Sequence, residues 1–212
     1  MQIAEDFYNK YDETITRICK PYWRFLELCV NAVPNDIKSV CELGIGTGNF
    51  SSLLRSRFPD ILIYGIDKNK EFIEIARKKL SNTILEDRDV FEKELPKVDY
   101  FISSLMLHHL REDREEKLLK IANSGKGFIN FDLATFEDKN KEDIIKNVLQ
   151  YARSNNFREE DLEEIASEIE QRDNPMCLYE QKDLFEKNNL NFKILAKDFP
   201  FVAYQVSKPI KE

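Results

Sequence analysis

Apolar and polar positions alternate along the chain in two rhythms, one typical of buried strands and one typical of helices. Short apolar runs lie at Ser39 to Leu43, Ile61 to Ile66, Thr83 to Leu85, Tyr100 to Ser103 and Lys126 to Leu133. Runs such as YFISS and GFINF are apolar on both faces, as in parallel strands that helices cover from both sides. Between the runs, apolar residues recur every three or four positions, which predicts amphipathic helices. This alternation predicts an α/β fold with a mainly parallel sheet.

The two ends of the chain depart from that alternation. Residues 1–35 are predicted to form a helical arm, and residues 136–178 an insert that holds two polar helices. Residues 39–135, between arm and insert, carry the alternating strands and helices. Residues 179–212 begin with a helix, and two strand-like segments follow with no helix between them. Because strands joined by a short turn pair antiparallel, we expect a hairpin at one sheet edge and a single domain overall.

Composition and charge exclude several classes of protein. The 212 residues include 39 acidic and 32 basic side chains, for a net charge of −7. An acidic chain is a poor non-specific ligand for nucleic acid, because phosphates must be neutralised by Lys and Arg. No apolar run approaches the roughly 20 residues that cross a bilayer, and the acidic N-terminus lacks the features of a secretion signal. The four cysteines form no C-x-x-C pair, so we expect buried free thiols in a cytoplasmic protein.

The most informative segment is VCELGIGTGNF, in which a predicted strand enters a turn containing Gly44, Gly46 and Gly48. A dinucleotide-binding turn has the pattern G-x-G-x-x-G, whereas the position of its third glycine holds Asn49 here. Glycines allow a sharp turn and let a ligand contact the main chain where any Cβ would clash. A helix is predicted to begin at this turn, and its free N–H groups favour a carboxylate.

Three acidic residues follow consecutive predicted strands or end them. Glu42 lies inside the first strand, Asp67 ends the second, and Asp89 follows the third. Parallel strands place such residues at one sheet edge, where Asp67 is suited to bind both hydroxyls of a ribose and Asp89 an adenine amino group. Three acids would repel a polyphosphate, so the ligand is expected to carry hydroxyls, amines and positive charge.

These features, together with RDVF at 88–91 and YFISSLMLHHL at 100–110, resemble class I S-adenosylmethionine-dependent methyltransferases over roughly residues 39–135. The resemblance implies a Rossmann-like, seven-stranded sheet with an antiparallel last strand. It implies S-adenosylmethionine as the cofactor, S-adenosylhomocysteine as the product, and no metal. Glu42 would then hold the methionine amine, Gly44 and Gly46 would lie under the ligand, and Ser104 would lie beside the amino-acid part. The implied cofactor-binding residues are Glu42, Gly44, Gly46, Gly48, Asp67, Lys68, Asp89, Val90 and Ser104.

Methyl transfer is an in-line displacement, so the protein mainly has to align the two reactants. A base is needed only when the acceptor is protonated. The adjacent His108 and His109 follow the fourth predicted strand, where either one could act as the base or anchor the following helix. Four further side chains are candidates for substrate contact or for a lid: Tyr8, Tyr11, Asp132 and Arg172. Each also has a plainer interpretation, as helix packing or a solvated polar side chain.

The acceptor is predicted to be a small molecule. The N/D-P-P-Y/F element of base-amine methyltransferases is missing after the fourth strand, where the sequence is SSLML, and there is no cysteine nucleophile there. Two alternatives stay open. The arm and its YDE segment resemble carboxy-S-adenosylmethionine synthases of tRNA modification, whose chemistry needs a cationic group near the sulfonium. The other alternative is a non-catalytic cofactor-binding scaffold. The acceptor atom is not determined by the sequence, and neither is the choice between monomer and homodimer.

Overall fold

A computed structural model describes the backbone of residues 2–209 and the side chains of residues 10–209. Its strands are β1 (Ser39–Leu43), β2 (Leu62–Asp67), β3 (Thr83–Asp87), β4 (Tyr100–Ser104), β5 (Gly127–Leu133), β6 (Asn191–Asp198) and β7 (Phe201–Ser207). Its helices are α1 (Gln2–Ile18), α2 (Tyr22–Ala32), α3 (Asn49–Arg57), α4 (Lys70–Lys79), α5 (Arg114–Ser124), α6 (Lys141–Ser154), α7 (Glu159–Arg172) and α8 (Leu178–Lys187). None of these helices combines the length and the apolar character needed to cross a bilayer.

All seven strands belong to one sheet, in the order β3-β2-β1-β4-β5-β7-β6. Strands β1 to β5 pair in parallel, whereas β7 runs antiparallel to both of its neighbours, β5 and β6. The predicted Rossmann-like α/β sheet with a reversed last strand is confirmed, and so is the hairpin at the sheet edge. The order reverses between β1 and β4, and in open α/β sheets ligands bind at such a switch point.

Hydrophobic side chains cover both faces of the sheet, as the doubly apolar strands predict. Phe25 and Ile102 belong to the core on one face, whereas Phe101 and Phe185 belong to the core on the other. All four are fully buried, and burial of such a side chain stabilises the fold by about 1.5–3 kcal/mol. Three of the four free thiols are buried and one is half-buried, so the thiols are predominantly small core groups.

The arm and the insert meet over the carboxyl ends of the parallel strands. Ile15 of α1 belongs to the same buried cluster as Val148 of α6 and Ile169 of α7. Arg17 joins the arm to the loop between α6 and α7, because its Nη2 donates to the Asn155 carbonyl over 2.7 Å. The arm and the insert therefore cover the sheet edge at which the candidate functional residues are predicted to lie.

The chain makes one turn that the sequence did not predict. After β4, Leu105 adopts a left-handed backbone conformation with φ of 50°, which is unusual for a large apolar residue. Its N–H donates to the Phe131 carbonyl over 2.8 Å, and a single 3₁₀ turn follows over Leu107–His109. This turn fixes the directions of the two adjacent histidine side chains.

Candidate active site

The glycine turn between β1 and α3 has the backbone geometry that glycine permits. Gly44, Gly46 and Gly48 have φ values of 69°, 52° and 81°, in the left-handed region that other residues rarely adopt. A Cβ on Gly44 would overlap the Met106 side chain, whereas a Cβ on Gly46 would meet no atom within 4 Å. Gly46 therefore borders open space, and its main chain is available to a ligand.

A cavity of about 580 Å³ opens beside this turn, at the carboxyl ends of β1, β2 and β4. It is lined by every candidate cofactor-binding residue except Gly48, namely Glu42, Gly44, Gly46, Asp67, Lys68, Asp89, Val90 and Ser104. Gly48 instead precedes α3, where a Cβ would fall 2.8 Å from Leu80 Cδ1. Gly48 thus serves the packing of α3 against α4 rather than the lining of the cavity.

Glu42 is the most deeply buried acid in the cavity wall, with 1% of its surface exposed. Its Oε2 accepts hydrogen bonds from the Ser51 N–H over 3.0 Å and the Ser51 hydroxyl over 2.5 Å. Its Oε1 accepts no hydrogen bond from the described residues. Burial raises the pKa of Glu42 to about 8, even though both hydrogen bonds favour the charged form. A cation entering the cavity would be the natural partner of the remaining oxygen.

Asp67 holds the two segments that border the cavity. Its Oδ2 accepts from the Gly46 N–H over 2.8 Å, and its Oδ1 accepts from the Asn69 N–H over 2.9 Å. Burial raises the pKa of Asp67, and these two backbone donors oppose the rise. Because each carboxylate oxygen has two lone pairs, both oxygens can accept one further hydrogen bond. The orientation of Asp67 is therefore fixed, and it keeps room for two hydroxyl groups.

An ionic link that the sequence does not indicate ties the arm to the glycine turn. Asp12 of α1 accepts hydrogen bonds from the Thr47 hydroxyl over 2.5 Å and from Asn49 Nδ2 over 2.9 Å. Its second oxygen lies 2.8 Å from Lys79 Nζ. Partial burial disfavours the Asp12 carboxylate, but these donors outweigh it and lower its pKa. No local pattern indicates this link, because it joins residues from three separate elements.

A second cavity of about 310 Å³ lies under the arm and the insert. We call it the acceptor chamber. It shares Tyr11, Leu105, His109 and Glu168 with the first cavity, which we call the cofactor cavity, so the two spaces adjoin. Its other lining residues are Thr14, Ile15, Ile18, Cys19, His108, Leu133, Val148, Phe157, Asp161, Glu164, Ile165, Ile169, Asp173 and Phe201. The lining is mainly apolar, and its charged members are all acids.

Asp132 does not face the cavities, which corrects one sequence-based expectation. It is 3% exposed and lies beneath His108, whose Nδ1 contacts its Oδ1. Its Oδ2 accepts from the His108 N–H over 3.1 Å. The interpretation of Asp132 as a solvated acid at the end of a strand is therefore wrong, because the 3₁₀ turn covers it. Its predicted contact with substrate or a lid stays a prediction. Burial disfavours the charged form of His108, but the carboxylates of Asp132 and Asp173 outweigh it and raise the pKa of His108.

His109 is the histidine that opens onto both cavities, with 47% of its side chain exposed. Its Nδ1 lies 3.2 Å from Oδ1 of Asp173, a buried residue that directly follows α7. Of the other candidates, Tyr11 lines both cavities and Arg172 lines the cofactor cavity, where its Nη1 is 2.8 Å from Glu168 Oε1. The side chain of Tyr8 lies outside the described residues.

Known proteins resemble the chain in sequence over this region and beyond it. A family model described as a methyltransferase domain matches residues 40–124. A protein named carboxy-S-adenosyl-L-methionine synthase from Campylobacter jejuni subsp. jejuni (strain 81-176) is 27% identical over 218 residues, covering 95% of this chain and 90% of that protein. An uncharacterized methyltransferase of Anoxybacillus flavithermus is 27% identical over 125 residues, covering 56% of this chain and 58% of that protein.

Solved structures resemble the chain in fold. The plantazolicin methyltransferase BpumL, solved in complex with S-adenosylhomocysteine, superposes with a TM-score of 0.68 at 17% identity, covering 95% of this chain and 90% of that one. Human N-acetylserotonin methyltransferase, in complex with S-adenosylmethionine, superposes with a TM-score of 0.62 at 17% identity. The match covers 97% of this chain, which spans only 56% of the human protein. The chain therefore contains a methyltransferase domain at residues 40–124 and has the fold of these S-adenosylmethionine-dependent methyltransferases.

Proposed function

We propose that the protein transfers the methyl group of S-adenosylmethionine to an apolar small molecule bound in the acceptor chamber. The observation that carries this proposal is the pair of adjoining cavities, about 580 and 310 Å³ in volume. The larger one has the glycine turn and the acids that suit a nucleoside with a cationic side chain. The smaller one has the size of a site for a small organic molecule.

In this proposal the cofactor residues keep the roles that the family resemblance implies. Glu42 binds the methionine amine through its free oxygen, and Asp67 binds the two ribose hydroxyls. Asp89 and Val90 border the adenine, while Ser104 lies by the amino-acid part. The sulfonium then points towards the junction of the two cavities, where Tyr11 and His109 line both spaces.

The charge of the acceptor chamber narrows the class of acceptor. Its charged lining residues other than the histidines are Asp161, Glu164, Glu168 and Asp173, and no Lys or Arg is among the described residues that line it. An acceptor bearing a phosphate or carboxylate would be repelled there, whereas a neutral or amine-bearing molecule would be tolerated. A nucleic-acid acceptor is disfavoured for the same reason, since its backbone needs basic partners.

The test is a transfer reaction with methyl-labelled S-adenosylmethionine and a cell extract divided into metabolite, RNA and protein fractions. Label is expected in the metabolite fraction. Ile165→Phe should fill the acceptor chamber and suppress transfer while sparing cofactor affinity. Ile145→Phe, on helix α6 and also half-buried, is the matched control because Ile145 lines neither cavity. Label in RNA or protein alone, or full transfer by Ile165→Phe, would contradict the proposal.

Carboxy-S-adenosylmethionine synthesis is a second candidate, favoured by the Campylobacter relatives of that name, which match 95% of the chain. That chemistry needs a cation for the carboxylate on the donor methyl group, and Arg111 and Arg172 both line the cofactor cavity. Each is already engaged, since Arg111 donates to the Gln171 carbonyl and Arg172 pairs with Glu168. Mass spectrometry of the nucleosides after incubation with the metabolite fraction separates the candidates. Methyl transfer yields S-adenosylhomocysteine, whereas the alternative yields a donor heavier by one carboxyl group.

A further inference from the structure

Three side chains with metal-ligand chemistry converge in the wall of the acceptor chamber, and one of them, His109, also lines the cofactor cavity. One ligand atom each from His108, His109 and Asp173 lies within 4.8 Å of the others. Asp173 Oδ1 is 3.2 Å from His109 Nδ1 and 3.6 Å from His108 Nε2. Ligand atoms around an ion with bonds of about 2.1 Å are separated by roughly 3.0–3.5 Å, and the two separations from Asp173 Oδ1 are close to that range. We propose that His108, His109 and Asp173 bind a single divalent first-row transition-metal ion.

The hydrogen bond behind His108 has the arrangement found at histidine metal ligands. Its Nδ1 contacts the buried Asp132 carboxylate, which leaves Nε2 directed towards Asp173. A carboxylate on the far side of a ligating imidazole fixes its tautomer and ring orientation and increases its basicity. Asp132 is itself held, because it accepts backbone hydrogen bonds from His108 and from Leu133, the latter over 2.8 Å.

The Asp173 segment is attached to the 3₁₀ turn by contacts that need no ion. The Asn174 N–H donates to the His108 carbonyl over 2.6 Å, and Asn174 Nδ2 donates to the Leu110 carbonyl over 3.1 Å. Lys141 Nζ donates to the backbone oxygen of Asp173 over 2.6 Å. The three ligand side chains are therefore brought together by the fold itself, which is the condition for a preorganised site.

Charge also favours a cation at this place. Asp132 and Asp173 are 3% and 8% exposed, and among the described residues they pair with the two histidines rather than with a lysine or arginine. Buried carboxylates are costly unless they are paired with positive charge or coordinate a metal. A divalent ion between the two imidazoles and Asp173 would supply that charge in the space between the ligands.

The donor set selects the class of ion. Two imidazoles with one carboxylate suit Zn²⁺, Co²⁺, Ni²⁺ or Fe²⁺, whereas Mg²⁺ and Ca²⁺ prefer oxygen ligands. Three protein ligands leave at least one coordination position open, and the exposure of His109 directs that side towards the two cavities. An oxygen or nitrogen atom of a bound small molecule could occupy the open position. His109 would then be a ligand rather than the base considered from the sequence.

The test is a calorimetric titration of the chelator-treated full chain with ZnCl₂, and a parallel titration with CoCl₂ followed by visible absorption. Neither donor nor acceptor is present, so the outcome is independent of the methyl-transfer proposal. Both histidines of the chain lie in the cluster, so imidazole ligation of Co²⁺ reports this site alone. We expect one ion per chain and at least a tenfold loss of affinity for both His109→Ala and Asp173→Asn. Excess Mg²⁺ should not compete.

Asp138→Asn is the matched control, because it removes an exposed carboxylate outside both cavities and should leave the affinity for Zn²⁺ unchanged. If Asp173→Asn fails to fold, His109→Ala still decides, since its half-exposed ring can be removed without opening the core. Equal affinity of the wild type and His109→Ala for Zn²⁺, or binding by neither, would overturn the proposal. The cluster would then be a hydrogen-bonded network that orients His109.

Discussion

Asp67→Ala is the most direct test of the cofactor site. The substitution removes the carboxylate that would accept two ribose hydroxyls, and it also leaves the N–H groups of Gly46 and Asn69 without their acceptor. Hydrogen bonds to a charged group contribute about 1.5–3 kcal/mol. Taking that range for the pair together gives a loss of affinity of roughly 10- to 150-fold for S-adenosylmethionine and its product. Since both ligands carry the same ribose, the loss should be similar for both.

Calorimetric titration with S-adenosylhomocysteine measures this loss, and urea unfolding of the same variant measures the accompanying change in stability. Asp87→Ala is the matched control: Asp87 ends the neighbouring strand β3 in register with Asp67, but it is exposed and does not line the cavity. It removes the same charge from the same sheet edge and should change affinity by less than about twofold. Equal affinity of Asp67→Ala and the wild type would refute the assigned ribose site, and equal losses for both variants would indicate a general effect of charge.

Four further predictions concern the cavity wall and the core. Burial raises the pKa of Glu42 to about 8, so binding of the ligand ammonium at pH 7 should release close to one proton. Calorimetry in buffers of different ionisation enthalpy measures this release. The Glu42→Gln variant should release no such proton. Because the pKa of Glu42 is higher in the folded state than in the unfolded state, the stability that Glu42 contributes falls as the pH rises from about 4.3 towards 8. Glu42→Gln should therefore flatten that part of the plot of unfolding free energy, measured with urea, against pH. An unchanged plot would contradict the raised pKa of Glu42. Gly46→Ala should lower the free energy of unfolding by about 1–2 kcal/mol, because residue 46 has a left-handed φ, and its Cβ should also block the cofactor. Gly44→Ala should lower the free energy of unfolding further, because its Cβ would overlap the Met106 side chain. Phe25→Ala should lower the free energy of unfolding by about 3–5 kcal/mol without changing cofactor affinity below the unfolding transition, since Phe25 is fully buried away from both cavities.

Local sequence signals were enough to predict the strands, most helices and the acids and glycines that line one cavity. Strand β1 has the predicted bounds. Asn69 is a residue type that commonly caps helices, and it caps α4, because its side chain accepts from the Glu71 and Phe72 N–H groups. These features depend on apolar runs, turn residues and caps that lie within a few positions of each other. They can therefore be predicted without knowledge of the tertiary structure.

The contacts around the acceptor chamber could not be predicted from the sequence in the same way. The Asp12–Lys79 ion pair joins residues 67 positions apart, and Asp173 reaches the histidines only because the insert folds back over β4 and β5. The left-handed Leu105 that turns His108 inward has no sequence signature, since the residue is neither glycine nor asparagine. The arrangement of these side chains depends on contacts between polar residues that are far apart in the sequence, and no periodic pattern predicts such contacts.

The acidic character of the sheet edge has a consequence for turnover in the proposed function. Glu42, Asp67 and Asp89 line the space proposed for the donor, and Glu168 lies where the two cavities adjoin. The donor carries a sulfonium cation, whereas the product has a neutral thioether at the same position, so these carboxylates attract the donor more strongly than the product. The ribose and adenine contacts are common to both and cannot distinguish them. In the proposed function, an acidic site thus favours replacement of the spent cofactor by a fresh one.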